Sequence, residues 1–463
     1  LLKVRVIGGG LAGSEAALQL ASFGFLVELI EMKPHKKTPA QKLDGLCELV
    51  CSNSFRSTKH SNAVALLKDE MLLLNGFLMR LALEAQVPAG DALAVDRVIF
   101  SRLVEENILA NPRITLVREE LTTLPLDDIP TIMATGPLTS DALAADLVRI
   151  IGQERLDFYD AIAPIIDTES IDMTKAFKQS RWHDEEEEQG DYINCPMDKA
   201  TYEEFISRLQ CSTRAKMHEF ENAHFFEGCL PIEVMAERGV ETLRFGPFKP
   251  VGLHDPHLNE RPHAVLQLRK EDKYGTSYNM VGCQTRMTIP EQKETFALIP
   301  ALKNVKFMRF GAIHRNTYVN GPEVLDEHLR VKDSAGKATN IFLAGQITGV
   351  EGYVESMAMG LVVAHIVNSF YKNQPCHWPV ESALGALYGH VLGHHRARAK
   401  DPYMPSNITW AMVPPVVAKK SLGRAHKREM LYERGIAAIK EFKNRQTLLE
   451  GPQPVELSES ISC

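Results

Sequence analysis

Val6-Ile7-Gly8-Gly9-Gly10-Leu11-Ala12-Gly13-Ser14-Glu15 is the stretch on which the fold turns. A short apolar run, residues 4–7, ends in glycines; apolar residues follow at helical spacing over 14–23; a second apolar run, 27–30, closes on Glu31. The pattern reads strand, turn, helix, strand. In such a unit Gly8, Gly10 and Gly13 let a pyrophosphate approach the first turn of the helix, whose amide N–H groups and positive dipole end face it. Gly9, Leu11 and Ala12 complete that turn. Glu31, eighteen residues after Gly13, is placed to accept hydrogen bonds from ribose hydroxyls and to disfavour an added 2'-phosphate.

Two distant segments repeat the theme. Residues 131–136 (TIMATG) read as a buried strand ending in a tight turn at Gly136, with a helix expected over 139–151. Residues 340–344 (NIFLA) read as another strand, followed by a turn at Gly345, Gly349 and Gly352 and a helix over 353–370. Three glycine-ended strands from three parts of the chain suit one composite nucleotide site. The fold class expected is therefore α/β: a discontinuous Rossmann-like FAD-binding domain with an inserted α/β domain. FAD is preferred over NAD because the returning turn, with Gly345, Gln346 and Gly349, offers a place for the flavin end. Tyr353 stands where its ring would stack on a flavin, folate or base, or serve as a plain core tyrosine.

Between these landmarks, residues 34–61 are polar and read as a long loop, a length that in a compact domain often marks function. Helical spacing covers 62–85. The acidic run 184–188 reads as a solvated loop and serves as a boundary. Beyond it the pattern becomes mixed strands and helices without a glycine fingerprint. The expected units are 1–183 and 318–463, which together form the FAD domain, and 184–317, the insertion. Since the insertion carries no second GxGxxG, a reductase holding two resident nucleotides is disfavoured.

Composition sets outer limits. The chain of 463 residues is 44% apolar and 24% charged, ordinary for a soluble globular protein. No uninterrupted apolar run reaches the ~20 residues that span a bilayer, and the glycine turn with Glu15 replaces a cleavable signal pattern. Eight scattered cysteines fit a reducing cytoplasm better than a disulfide framework. The net charge of -7 provides no global basic field for nucleic acid, so a local patch would be needed. Between His394 and Arg434, nine Lys or Arg stand against three acids, interleaved with Tyr403, Trp410 and Tyr432. This stretch reads either as an RNA-backbone patch or as a solvated helix face.

Several further stretches have peculiar wording: TPAQKLDGLCELVCSNSFRS at 38–57, PAGDALAVDR at 88–97, ATGPLTSDAL at 134–143, DYINCPM at 191–197, FGPFKPVGL at 245–253, HRNTYVNGP at 314–322 and GQITGVEGYVES at 345–356. Together with VIGGGLAGSEAA at 6–17, they make the chain resemble the TrmFO family over roughly its first 440 residues. The resemblance implies folate- and FAD-dependent methylation of tRNA uracil. A methylene group passes from 5,10-methylenetetrahydrofolate, through reduced flavin, to C5 of the T-loop uridine, and NAD(P)H regenerates the flavin. Some relatives act on ribosomal RNA, and no residue legible here separates the two substrates. Two features depart from the family pattern: the length of the acidic run at 184–188, and Cys283 where an aromatic residue is expected.

Uracil C5 becomes nucleophilic once a thiolate adds to C6, so the chemistry needs cysteines. Cys229 precedes an expected helix at 231–238, and Cys51 sits in the polar CSNS loop with Arg56 nearby. Without a further indication, either reads better as a small buried hydrophobe. The resemblance assigns the functional pair to Cys51 and Cys229; Cys229, ahead of the expected helix, is read as the nucleophile and Cys51 as acid/base or protective partner, a division that the resemblance itself leaves open. Cys47 and Cys51 form a CxxxC without a companion pair, so no metal is expected. His314, Arg315 and Asn316 are candidates for holding an anionic group, or a structural turn. The competing functions are a flavin oxidoreductase of a small metabolite and a non-catalytic, flavin-stabilised RNA-binding protein.

Overall fold

Val4, Val6, Leu29, Ile132 and Ile341 are wholly buried, as strands covered on both faces must be. They belong to a six-stranded sheet ordered Arg330–Lys332, Ala338–Leu343, Thr131–Met133, Lys3–Ile7, Leu26–Glu31, Ile114–Arg118. All but Arg330–Lys332 run parallel, with Val6 opposite both Leu29 and Ile132, and Ile132 opposite Phe342. The opening, middle and returning strands are thus neighbours. The computed structural model describes residues 2–38, 40–152, 156–181, 190–214, 230–257, 261–395, 403–417 and 423–450; for 156–160, 313–315 and 447–450 it describes the backbone alone. The acidic run at 184–188 lies outside these residues.

Two helices cover the sheet where the site forms. Leu11–Ser22 is buried from Leu11 to Ala21, and Tyr353–Tyr371 is buried from Val354 to Ser369. They pack on each other. Gly360 permits the crossing, since a Cβ there would stand 2.2 Å from the Ala12 carbonyl oxygen. Tyr353–Tyr371 is the one described helix long and apolar enough to cross a membrane, yet 89% of its apolar window is buried inside the fold, as befits a core helix.

Several elements differ from the sequence expectation. The helix expected over 62–85 is two, Ala63–Leu73 and Phe77–Glu84, separated where Asn75 takes φ 60°. The buried Glu15 carboxylate accepts the N–H groups of Phe77 and Leu78 at 3.0 and 2.7 Å and so caps the second helix from a distant segment. Within the expected loop 34–61, Ser54–Ser57 pairs with Ala92–Val95 in a small sheet that Gln86–Val87 completes. Lys68 fastens that strand, its ammonium donating to the carbonyls of Phe55, Arg56 and Ser57. The helix Arg97–Ala110 and the strand Ile114–Arg118 had no counterpart in the sequence reading. Asp96 starts the helix by accepting from the amides of Val98 and Ile99.

A second six-stranded sheet, ordered Phe177–Lys178, Tyr192–Met197, Ala264–Lys270, Ser277–Met280, Ile165–Asp167, Phe307–Arg309, is antiparallel. It has its own core of Phe205, Phe248, Leu266 and Phe296. Two of its strands, Ile165–Asp167 and Phe177–Lys178, precede residue 184, where the insertion was expected to begin. We propose that the boundary runs instead through the antiparallel pair Leu156–Ile162 and Ala312–Tyr318, which leads into and out of this sheet.

Gly360→Ala should lower stability by about 1–3 kcal/mol, the usual cost of forcing extra volume into a packed contact. Denaturant titration of the purified protein checks this; an unchanged midpoint would show that the helix crossing relaxes freely.

Candidate functional site

The parallel strands end at a cleft, the expected position for a ligand in an open α/β sheet. Ile7 of the first strand and Gly8 just after it, Ile30 and Glu31 of the second, Ala134 to Gly136 after the middle strand, and Gly345 and Gln346 after the returning one line it. The cleft encloses about 1030 Å³, its open mouth included. Leu11, Ala12 and Tyr353 also line it, whereas Gly9, Gly13, Gly349 and Cys51 do not.

The glycines have separate duties. A Cβ on Gly8, whose φ is 100°, would meet the Ala134 carbonyl oxygen at 2.7 Å, and one on Gly13 would meet the Gly8 oxygen at 1.9 Å. These two shape the turn. Gly10 differs: a Cβ there meets no protein atom within 4 Å, and the residue lines the cleft. It supplies no side-chain cap, so the helix presents its first-turn amides bare, as a pyrophosphate seat requires. The chain therefore fits the phosphates of FAD. Gly349 packs against the Tyr403 ring, with 2.5 Å to a Cβ, and caps the turn Gly345–Thr348. Gln346 donates to Glu351 at 2.7 Å.

Glu31 carries more than the expected ribose contact. Its two oxygens accept the Gly9 amide at 2.7 Å and the Lys33 amide at 2.9 Å, tying the glycine turn to the end of the second strand. Each carboxylate oxygen keeps a lone pair for a sugar hydroxyl. Thr135 and Thr139, whose hydroxyls lie 2.6 Å apart, also line the cleft, a role that their motif ATGPLTSDAL does not reveal by itself.

The two cysteines of CxxxC have opposite environments. Cys47 is buried, donates its amide to the Gly9 carbonyl at 3.0 Å, and burial pushes its thiol up to about 12. It packs beneath the glycine turn. Cys51 instead meets Tyr353: the phenol oxygen lies 2.9 Å from its sulfur and accepts the amides of Cys51 and Ser52 at 2.8 and 3.1 Å. The Tyr353 ring lies edge-on to Phe55 at 6.0 Å, and Arg56 pairs with the buried Glu355. Among the described residues, no group of three or more His, Cys, Asp or Glu is arranged to hold a metal.

The insertion grips the same loop. Arg269 donates to Ser52 and Asn53, and Asn53 donates to the Lys270 carbonyl. Arg97, the last residue of PAGDALAVDR, donates to the Leu49 carbonyl and pairs with Glu271 at 2.8 Å. Arg309 lies within electrostatic reach of Arg97, Glu271, Tyr353 and Cys51. Its Nε and Nη2 are buried without a hydrogen-bond partner among the described residues, which suits it to an anionic ligand. Nothing in its sequence surroundings marked it, because its neighbours come from other segments.

Cys229 lies outside the described residues, as do Arg396, Arg398, Lys400, Lys419 and Lys420 of the basic stretch. The helix after Cys229 is Ile232–Glu237, shorter than expected, and its Ile232 amide already donates to the Gln284 carbonyl at 2.7 Å. The side chains of His314 and Arg315 are likewise outside the description, while Asn316 is buried in Ala312–Tyr318. Arg434 clamps the carbonyls of Pro414 and Pro415 and so serves the fold, whereas Arg424 is exposed at the start of helix Arg424–Glu450.

Residues 3–375 match the family model described as glucose inhibited division protein A. The chain is 50% identical over 434 residues to the methylenetetrahydrofolate-tRNA-(uracil-5-)-methyltransferase TrmFO of Anaeromyxobacter dehalogenans, spanning 93% of this chain and 94% of that one. It is 46% identical over 438 residues to the protein of the same name from Listeria innocua, spanning 94% and 98%. Among solved structures, Aquifex aeolicus GidA in its form II crystal superposes with a TM-score of 0.66 at 15% identity, over 97% of this chain and 75% of that one. That likeness bears on the fold, which is the Rossmann-like flavoprotein arrangement expected from the sequence.

Gly10→Ala should fold with a loss of at most about 1 kcal/mol, from the poorer helix cap. It should bind FAD about tenfold more weakly or worse, since the new methyl enters the cleft. Flavin absorbance after gel filtration and reconstitution reads this out; full retention would remove the pyrophosphate from this turn.

Proposed function

This chain belongs to the TrmFO family, and on that premise we propose that it transfers the methylene group of methylenetetrahydrofolate to C5 of the T-loop uridine in tRNA, with FAD resident in the cleft. The observation that carries the reading is the placement of Cys51 on Tyr353, a residue lining the flavin cleft, where the insertion closes over the CSNS loop. When bound, the flavin supplies the redox chemistry that turns a transferred methylene into a methyl group.

The chain's own residues do the rest. Cys229 adds to uracil C6 and makes C5 nucleophilic, and Cys51 exchanges the C5 proton. Arg309 and Arg97, with Arg269 within electrostatic reach of Cys51, supply positive charge for an anionic part of a substrate. NAD(P)H enters as a transient reductant, in keeping with a single glycine fingerprint in the sequence. The exposed Arg424 and the basic residues before it meet the RNA backbone. A T-loop base must leave its stack to reach the cysteines. We place the enzyme in the cytoplasm; its six described cysteines form no disulfide, which suits a reducing compartment.

The test is incubation of tRNA lacking 5-methyluridine with protein, FAD, methylenetetrahydrofolate and NAD(P)H, followed by nucleoside analysis. 5-Methyluridine at the T-loop is the expected product, and Cys51→Ala and Cys229→Ala should each reduce it at least ~100-fold. Product on ribosomal RNA alone would keep the chemistry and replace the substrate. Oxidation of NAD(P)H with a small metabolite and no nucleoside product would favour an oxidoreductase, and RNA binding without turnover would favour a non-catalytic role.

A further inference from the structure

The hydrogen-bond inventory of one phenol decides a proton's direction. Tyr353 Oη has two lone pairs, and both are occupied, by the amides of Cys51 at 2.8 Å and Ser52 at 3.1 Å. Its remaining capacity is its own O–H, and the Cys51 sulfur lies 2.9 Å away. An S–H on Cys51 has no lone pair left to meet on that oxygen. The phenol therefore donates and the sulfur accepts.

We propose that Tyr353 is a positioning residue that holds Cys51 in its thiolate form by donating its phenol hydrogen to the sulfur. A hydrogen bond made to the charged form of a group favours that form. A proton that Cys51 takes from a substrate carbon forms an S–H bond as the C–H bond breaks. That hydrogen must point away from Tyr353, since the phenol oxygen cannot receive it. Cys51 thus does not pass that proton to Tyr353. Burial pushes the Tyr353 phenol well above its ordinary value, which keeps it a donor at every working pH.

The surroundings hold this geometry from both sides. Glu355, two residues after Tyr353 and fully buried, pairs with Arg56 of the cysteine loop and accepts the Ile408 amide at 2.9 Å. Arg56 itself has φ 61°, a conformation a non-glycine residue keeps only when its contacts require it. Phe55 packs against the Tyr353 ring and against Phe100, which ties the ring to the loop.

This inference rests on Cys51 as the acid/base of the proposed reaction, but its test needs neither folate nor RNA. Alkylation of Cys51 by iodoacetamide is followed against pH in the FAD-loaded protein, with each cysteine peptide quantified by mass spectrometry and the exposed Cys211 as internal reference. In the native protein the Cys51 midpoint should fall below that of Cys211. In Tyr353→Phe it should rise by about one to two pH units, the size of one hydrogen bond to a charged group, while Cys211 stays put. An unchanged Cys51 midpoint in the variant overturns the proposal, as does faster alkylation at every pH without a shift, the mark of a merely structural contact. Should the variant fail to bind FAD, a native Cys51 midpoint at or above that of Cys211 overturns it alone. A normal shift with no methylated tRNA would instead retire the proposed reaction and leave the pair standing.

Discussion

The backbone of Ala12 and Gly360 approach so closely that no side chain fits between them. On that contact depends the joining of two helices from opposite ends of the chain, Leu11–Ser22 and Tyr353–Tyr371, over one parallel sheet. Gly345 repeats the constraint, since a Cβ there would stand 2.7 Å from the Ala12 Cβ. With these distances held, the bare turn at Gly10 and the returning turn at Gly345 face the same cleft, and Tyr353 reaches the cysteine loop.

Buried carboxylates stitch the remaining segments to that crossing. Glu31 takes the Gly9 amide, Glu15 the amides of Phe77 and Leu78, and Glu355 the Ile408 amide with Arg56. Glu70 accepts from Ala383 and Leu384, though burial pushes its carboxyl up to about 8. Each replaces water with amides from a segment remote in sequence. Breaking a buried charged pair typically costs about 3–5 kcal/mol, against about 0–1 kcal/mol for an exposed pair. Arg56–Glu355 joins a wholly buried carboxylate to a guanidinium that is 37% exposed, so its contribution falls between those two limits.

Sequence reading succeeded where the signal is local. Apolar runs ending in glycines located the strands at Lys3–Ile7, Thr131–Met133 and Ala338–Leu343, because strand burial and turn chemistry are written within a few residues of each other. It missed Arg97–Ala110, which begins on the side-chain cap of Asp96 inside a motif noticed for its wording. It joined two helices across Asn75, because the cap that starts the second comes from Glu15. The proposed start of the insertion before the acidic run rests on Ile165–Asp167 and Phe177–Lys178, whose pairing with later strands is not legible locally.

The sequence by itself determined the kind of unit at residues 6–31, the repetition of that theme at two later strands, and the family wording that points to flavin-dependent methylation of RNA. Glycine requirements and apolar periodicity act through neighbouring residues, so they survive in one dimension. Only the tertiary structure decided which glycine faces the cleft and which packs behind it, and that Glu31 braces the turn. Only it set Cys47 under the turn and Cys51 on a phenol, with Arg309 within electrostatic reach of that second pair. Those assignments depend on contacts between segments that meet only after the sheet closes and the two helices cross.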